Sequence, residues 1–371
     1  MKKIIIESQY LYRYQQPETG VTVGGSQRYA LELGKLFRDM NWEVIFLTKA
    51  IREFAETYED IGKIVALSAP FGSKGANRFS KQVYDFCKKE NADIVCYSDI
   101  LVGLKYCYPN SFALQHGIAW DIPTRKFLNL FMSSLYRKSA MKYEKVICVD
   151  TNFINWMRER STEYFSNPDR LVYIPNFADE NKFKYRYHEW DSSAEKFMLL
   201  YPRRFVKHRG YDIFMDMCKN LKEQGYNILP VIACEDFREE EFRSKYPDYA
   251  SLNARIVHPT MDEIQDLYHE SFLTIIPTRW SEGTSLSAIE AVSCGCPVVG
   301  SDVGGIANVI VPNLNGDIVP PSADSFTKAA KRFLDNVELR NGLARNCAEM
   351  NTVFGIKRWR NKVLDTINEM L

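Results

Sequence analysis

Two glutamates, Glu282 and Glu290, stand in the stretch RWSEGTSLSAIEAVSCGCPVVGSDVGG (279–305), and no residue between them is charged. The intervening residues are small and hydroxyl-bearing, then turn apolar at helical spacing. A helix starting near Ser285 puts Glu290 about 7 Å along its axis, while Glu282 stays on the loop before it. The amides of Thr284, Ser285 and Leu286 then fall at the helix N-terminus, where unpaired N–H groups and the helix dipole favour an anion. One carboxylate is placed for one end of an elongated, phosphate-bearing ligand and the other for its far end. The residues equally allow Glu290 as an exposed helix residue and Glu282 as a favourable dipole partner.

A basic cluster, PRRFVKHRG (202–210), gathers Arg203, Arg204, Lys207 and Arg209 between a strand pattern and a helix pattern. Charge runs are usually solvated, but a cluster at a strand's carboxyl end also suits a phosphorylated ligand. The chain as a whole has 48 basic and 47 acidic side chains. That balance creates no global field for nucleic acid, so any anion site is local. A third loop, Glu7 to Gly25, ends in Gly24-Gly25 before a helix, where missing side chains let a ligand approach the backbone. It lacks the G-x-G-x-x-G fingerprint, which argues against a nicotinamide cofactor. The nine cysteines show no zinc-type spacing, Cys294 and Cys296 read as buried thiols, and no Asp-x-Asp at a strand end suggests a metal.

These loops need a scaffold that presents strand ends to helix starts. Length alone suggests about two domains for 371 residues. Strand patterns at 2–6, 44–48, 63–67, 94–97, 111–115 and 145–149 alternate with amphipathic segments, the first being Ser26 to Met40, which reads as a doubly wound parallel sheet. The polar, aperiodic stretch 177–196 connects to a second alternation, with strands at 197–201, 228–233, 255–257, 273–277, 297–300 and 316–319 and helices at 211–223 and 287–293. The expected organisation is α/β: an N-terminal Rossmann-like domain over 1–178, a second over 179–355, and a terminal helix over 356–371 that belongs to either domain. The absence of a signal-peptide pattern or an eighteen-residue apolar run leads us to expect a cytoplasmic protein.

Residues 277–305 resemble the donor-site signature of the GT-B glycosyltransferases of family 4, retaining enzymes that use nucleotide sugars. The segments GVTVGGSQRYALELGKLF, LQHG, VYIPNFAD and PRRFVKHRG resemble further family motifs in the same chain order. The resemblance covers nearly the whole chain and implies two Rossmann-like domains facing each other across a cleft. It implies that Arg204 and Arg209 hold the pyrophosphate of a UDP- or GDP-type donor, Glu290 the ribose, Glu282 the transferred sugar and Gly25 the phosphate, with His116 beside the reacting sugar. Arg209 stands where the family usually has lysine, Asn308 where a glutamate commonly follows the Gly-Gly turn, and Phe177 where a glycine follows Pro-Asn. With arginines and helix amides neutralising the leaving diphosphate, the expected chemistry needs no metal or other cofactor.

The expected acceptor is a glycan or a lipid-linked saccharide, in cell-surface polysaccharide biosynthesis. The segment 125–145, RKFLNLFMSSLYRKSAMKYEK, carries six basic residues against one glutamate, with Phe127, Leu130, Phe131, Met132 and Leu135 as an apolar side. It reads as a core helix with a solvated face or as a peripheral contact with the inner face of a membrane. Two rival functions remain open: a nucleotide-sugar isomerase or epimerase on the same scaffold, and a degenerate glycan-binding or partner subunit.

Overall fold

The computed structural model describes residues 1–371 except 22–23, 71, 119, 123–125, 235–239, 241, 243, 245–246 and 261. Parts of the sequence motifs at 22–23 and 125 therefore lie outside the described residues. The chain divides into two compact units, one of residues 1–116, 122–174 and 360–371, the other of 117–121 and 175–359.

The first unit is built on strands β1 (Lys3–Glu7), β2 (Glu43–Ala50), β3 (Phe54–Tyr58), β4 (Gly62–Ser68), β5 (Ile94–Tyr97), β6 (Ser111–Gln115), β7 (Lys145–Cys148) and β8 (Leu171–Tyr173). Their order is β3-β4-β2-β1-β5-β6-β7-β8, parallel except for the β3–β4 pair. Central strands such as β1 are buried on both faces, which explains why they read as continuous apolar runs. Helix α1 (Gly25–Asp39) buries Tyr29, Leu33, Leu36 and Phe37 at three- and four-residue intervals. Helices α2 (Gly72–Lys89), α3 (Lys126–Ala140), α4 (Thr151–Arg160) and α5 (Thr162–Ser166) follow, and the Asp150 carboxylate caps α4 by accepting from the Phe153 amide at 3.2 Å.

The second unit has strands β9 (Phe197–Tyr201), β10 (Ile228–Ala233), β11 (Arg255–Val257), β12 (Leu273–Ile276), β13 (Val298–Ser301) and β14 (Gly316–Val319). All are parallel, in the order β11-β10-β9-β12-β13-β14. Its described helices are α6 (Tyr211–Glu223), α7 (Ile264–Glu270), α8 (Leu286–Ser293), α9 (Ala323–Leu334), α10 (Val337–Asn346), α11 (Met350–Phe354) and the start of α12 (Ile356–Asn368). Alternate residues of β9 enter different cores: Leu199 and Tyr201 pack with Phe214 of α6 and Phe326 of α9, whereas Met198 and Leu200 pack with Ala288 and Val292 of α8. The 177–196 connection has neither helix nor strand, yet it is anchored to the second unit. Phe177 is buried with its ring 4.4 Å from that of Trp359, and the Ala178 amide donates to the Phe354 carbonyl. From Arg360 onward α12 groups with the first unit, where Arg360 pairs with Glu32 and Asp39 of α1.

Candidate active site

In the second sheet the chain steps outward from β9 to β10 and β11, then returns to place β12 on the other side of β9. The loops leaving β9 and β12 flank this change of direction, where open α/β sheets form their ligand crevice. The β9 loop carries Arg203, Arg204 and Arg209, and the β12 loop carries Thr278 and Glu282. Two glycines allow the backbones to approach. A Cβ on Gly210 (φ +76°) would lie 1.9 Å from the Pro277 carbonyl oxygen, and one on Gly304 (φ +58°) would lie 1.9 Å from that of Glu282. The Gly305 amide donates to the same Glu282 carbonyl at 3.1 Å, so the Gly304-Gly305 turn fixes the glutamate's backbone. Ser281, just before it, adopts a left-handed φ of 56°. Its amide and hydroxyl donate to the Asp121 carboxylate at 2.9 and 2.8 Å, offsetting the strain.

The Glu282 side chain is only 8% exposed. Its Oε2 accepts from Arg203 Nη2, Arg209 Nη1 and the Thr278 hydroxyl, the last at 3.0 Å. Burial acts to raise its pKa, but Arg203, Arg209 and Thr278 outweigh it and hold the carboxyl below its ordinary range. Burial and the like charge of Arg203 push the Arg209 guanidinium down to about 10, leaving it protonated near neutral pH. Arg203 also donates from Nη1 to the Ser285 hydroxyl. Ser285 is the N-cap of α8, and with its hydroxyl engaged elsewhere it makes no capping bond. The first amides of α8 are thus left without a side-chain cap, beside two guanidiniums, an arrangement suited to a multiply charged anion.

The structure brings together Glu282, Arg209 and Ser285 among the expected site residues. Thr284 adjoins them, buried, with its hydroxyl and carbonyl accepting from the Asn176 amide at 2.9 Å and side chain at 2.6 Å. Leu286 opens α8. Arg204 is exposed and outside the ion triad; its carbonyl accepts from the Tyr201 hydroxyl at 3.2 Å. Glu290 lies inward on α8, 5% exposed, and accepts from the Tyr268 hydroxyl at 3.1 Å, which corrects the reading of an exposed helix residue. Burial first, then the Glu290 carboxylate, keeps the Tyr268 phenol well above its usual pKa. Gly25 and His116 belong to the first unit. Gly25 is the exposed first residue of α1. His116 follows β6 with its ring edge-on to Tyr29 at 5.6 Å. Burial lowers its pKa to about 4, so the imidazole is neutral, and its Nε2 meets no hydrogen-bond partner among the described residues.

Arg203, Thr278 and Tyr268 were not singled out from sequence as carrying the site. One signal was available for a partner to Glu290. Helix α8, LSAIEAVS, has a single charge in an otherwise apolar or small sequence, and a lone buried carboxylate requires a donor.

Two doubly wound sheets in tandem, with a charged crevice at the switch point of the second, give the architecture of the GT-B fold. The model of the Glycosyl transferases group 1 matches residues 188–350, and that of Glycosyltransferase Family 4 matches 23–182. The chain belongs to glycosyltransferase family 4 and is a transferase. It is 21% identical over 374 residues to the gpi3 subunit of phosphatidylinositol N-acetylglucosaminyltransferase from Schizosaccharomyces pombe, covering 93% of this chain and 78% of that one. It is 24% identical over 312 residues to an Escherichia coli UDP-Gal:alpha-D-GlcNAc-diphosphoundecaprenol alpha-1,3-galactosyltransferase, covering 78% of each. Among solved structures it is similar to sucrose-phosphate synthase from Thermosynechococcus elongatus, with a TM-score of 0.80, 15% identity and coverage of 100% and 99%.

Proposed function

We propose that this chain moves a sugar from a UDP- or GDP-type nucleotide sugar to a glycan or lipid-linked saccharide, with retention of configuration and without a metal ion. The observation that carries this reading is the Arg203–Glu282–Arg209 triad beside the uncapped start of α8. An arriving pyrophosphate competes with Glu282 for Arg209 and occupies the α8 amides; the diphosphate charge that develops on departure is neutralised there, the role a divalent ion plays elsewhere. Arg204 is free to reach the same phosphates. Glu282, still held by Arg203 and Thr278, positions the transferred sugar and is not a nucleophile. Glu290 takes the ribose, Gly25 adds a phosphate contact, and His116, kept neutral, serves as a hydrogen-bonding group near the sugar. The acceptor hydroxyl then attacks on the face the diphosphate leaves, passing its proton to the departing phosphate oxygen.

The named relatives that act on phosphatidylinositol and on a diphosphoundecaprenol-linked sugar support a lipid-linked acceptor. We further assign the protein to cell-surface polysaccharide synthesis, on the cytoplasmic side and in peripheral contact with the membrane through 125–145. Among the described residues, no helix is long and apolar enough to cross a membrane.

A panel of nucleotide sugars, assayed for released diphosphate and for product in excess chelator, tests the reading. Turnover with one donor, undiminished by chelation and with the anomeric configuration preserved, is the expected result. Activity restored only by magnesium or manganese refutes the metal-free mechanism, and inversion refutes the stereochemistry. Glu290→Ala should chiefly raise KM for donor, because ribose is gripped equally before and after transfer.

A further inference from the structure

The first sheet also changes direction. The chain runs from β1 out to β2, β3 and β4, then returns to place β5 on the other side of β1. A second crevice therefore falls at the carboxyl ends of β1 and β5, and its chemistry is opposite to that of the first. Glu7, the last residue of β1, is fully buried. Its Oε2 accepts from the amide of Asp99, just past β5, at 3.3 Å. The Asp99 carboxylate in turn accepts from the Gln9 side chain at 2.6 Å and the Leu101 amide at 2.9 Å. Burial first, then the charge of Asp99, raises the Glu7 pKa well above the usual carboxylate range, and burial raises that of Asp99. Among the described residues, neither carboxyl is held by a lysine or arginine. Two polar atoms at this spot, Glu7 Oε1 and Ser98 Oγ, are buried without a hydrogen-bond partner among the described residues. Folding gains nothing from a buried acid left partly unpaired, so the arrangement points to hydrogen-bonding groups supplied from outside the chain.

The rim of the crevice is aromatic. Of three tyrosines in the loop after β1, Tyr12 is buried with its hydroxyl on Glu56 at 2.9 Å, and Tyr14 donates to the Ala69 carbonyl at 3.1 Å. Tyr10, by contrast, is 57% exposed. Burial and then the Asp99 charge raise the phenol pKa of Tyr10 and of Tyr136 on α3, so both lie within electrostatic reach of the acid pair.

We propose that the crevice at the ends of β1 and β5 binds an uncharged sugar unit of the acceptor, with Glu7 and Ser98 on its hydroxyls and Tyr10 against its C–H face. The proposal rests on the glycosyltransferase reading and deepens it by naming the acceptor class. A sugar hydroxyl both donates and accepts, as do a protonated carboxyl and a serine, whereas an ammonium group only donates. A phosphate or carboxylate on the same sugar would meet an acid pair that no cation offsets. The two crevices thereby sort the substrates by charge: the diphosphate suits the arginines of the second unit, and a neutral sugar suits this one. An exposed tyrosine ring beside a few convergent polar groups is the usual composition of a small-ligand site.

Tyr10→Trp, made in the full chain, puts a fluorescent reporter at the rim, and the exposed position should accept it at the wild-type melting temperature. It is titrated with the methyl glycosides of glucose, galactose, mannose and N-acetylglucosamine, and with their phosphorylated and uronic counterparts. At least one uncharged glycoside should shift the emission to saturation, and its charged counterpart should bind at least about tenfold more weakly. Adding Ser98→Ala should weaken that binding by about threefold to tenfold, the worth of one neutral hydrogen bond. It should not lower the melting temperature, because the lost hydroxyl has no partner in the fold. Adding Asp99→Asn should narrow the gap between uncharged and charged glycosides, which a purely structural role for the acid pair would not do. The proposal is overturned if no uncharged glycoside perturbs the tryptophan, if the charged ones bind as well, or if Ser98→Ala binds like its parent. The rise in melting temperature with pyrophosphate, measured on the same protein, reports the donor crevice separately. A protein that responds to pyrophosphate and to no uncharged glycoside refutes this site and leaves the transferase reading standing.

Discussion

Replacing Glu282 with glutamine removes one negative charge from between two guanidiniums and changes little else in shape. In the native structure both Arg203 and Arg209 donate to the same carboxylate oxygen, with side chains 7% and 17% exposed. Breaking a buried ion pair by removing one partner costs about 3 to 5 kcal/mol; because Arg209 reaches some solvent, we expect the lower figure, about 3 kcal/mol. For a domain of this size that corresponds to a drop of about 6 to 12 °C in melting temperature. The same change should strengthen binding of pyrophosphate or a nucleoside diphosphate, since the carboxylate no longer competes for Arg209. A gain of about tenfold is expected. On the proposed mechanism turnover should fall by about 100-fold or more, because the group assigned to position the sugar loses its charge. The acid response supplies a further check. The folded-state pKa of Glu282 lies below its unfolded value, so its contribution is present above about pH 4.3 and is lost as pH falls through the folded value; Glu282→Gln should lack that part of the acid sensitivity. Thermal melts with and without pyrophosphate, and calorimetric titration, read all of this. If Glu282→Gln melts like wild type and pyrophosphate raises both melting temperatures equally, the triad is not the electrostatic centre of the site.

Arg204→Ala should leave stability unchanged and weaken diphosphate binding by about 1.5 to 3 kcal/mol, whereas Arg209→Ala should lower both; titration and melts on the two variants check the division. His116 is lowered to about 4 by burial, so the unfolded chain binds the extra proton between its ordinary value near 6.5 and that level. Stability should therefore fall as pH drops through this window, by at most about 3 kcal/mol, and His116→Phe should flatten the slope in urea melts across it. Ser281→Gly should be tolerated at its left-handed φ, while Ser281→Val should cost about 1 to 3 kcal/mol in thermal melts and reduce turnover by displacing Glu282.

Most strand positions were readable because doubly wound sheets bury whole strands and leave loops polar; β5, β6, β9, β10 and β11 fall where the apolar runs place them. Two strands were not readable, for different reasons. β3, FAETY, is an antiparallel edge strand with its middle three residues exposed, so it carries no apolar signature. β8 has three residues, too few for a period to register. Helix α3 shows a different limit: Phe127, Leu130 and Phe131 read in sequence as a buried face at helical spacing, yet the fold leaves them exposed.

The division of labour between Arg203 and Arg204 depends on structure in a way their sequence cannot express. Neighbouring residues in extended chain point to opposite sides, so one of the two must turn toward the β12 loop and the other away. Hydropathy usually fixes which, because a strand with one wet face shows its phase. β9 is buried on both faces, and Met198 to Tyr201 give no alternation from which to extrapolate to residue 203. The register is set instead by Gly210, whose missing side chain lets the β9 loop close on Pro277, and by the Tyr201 hydroxyl, which donates to the carbonyls of both Arg204 and Arg209. These contacts turn Arg203 inward to Glu282 and Ser285 and leave Arg204 in solvent. An arginine pair that reads as one basic patch is therefore two separate parts: Arg203 anchors the glutamate and engages the Ser285 hydroxyl, while Arg204, exposed, is the one the proposed function assigns to the donor phosphates. Swapping their roles would require a one-residue shift of the loop, which the closeness of Gly210 to Pro277 does not permit.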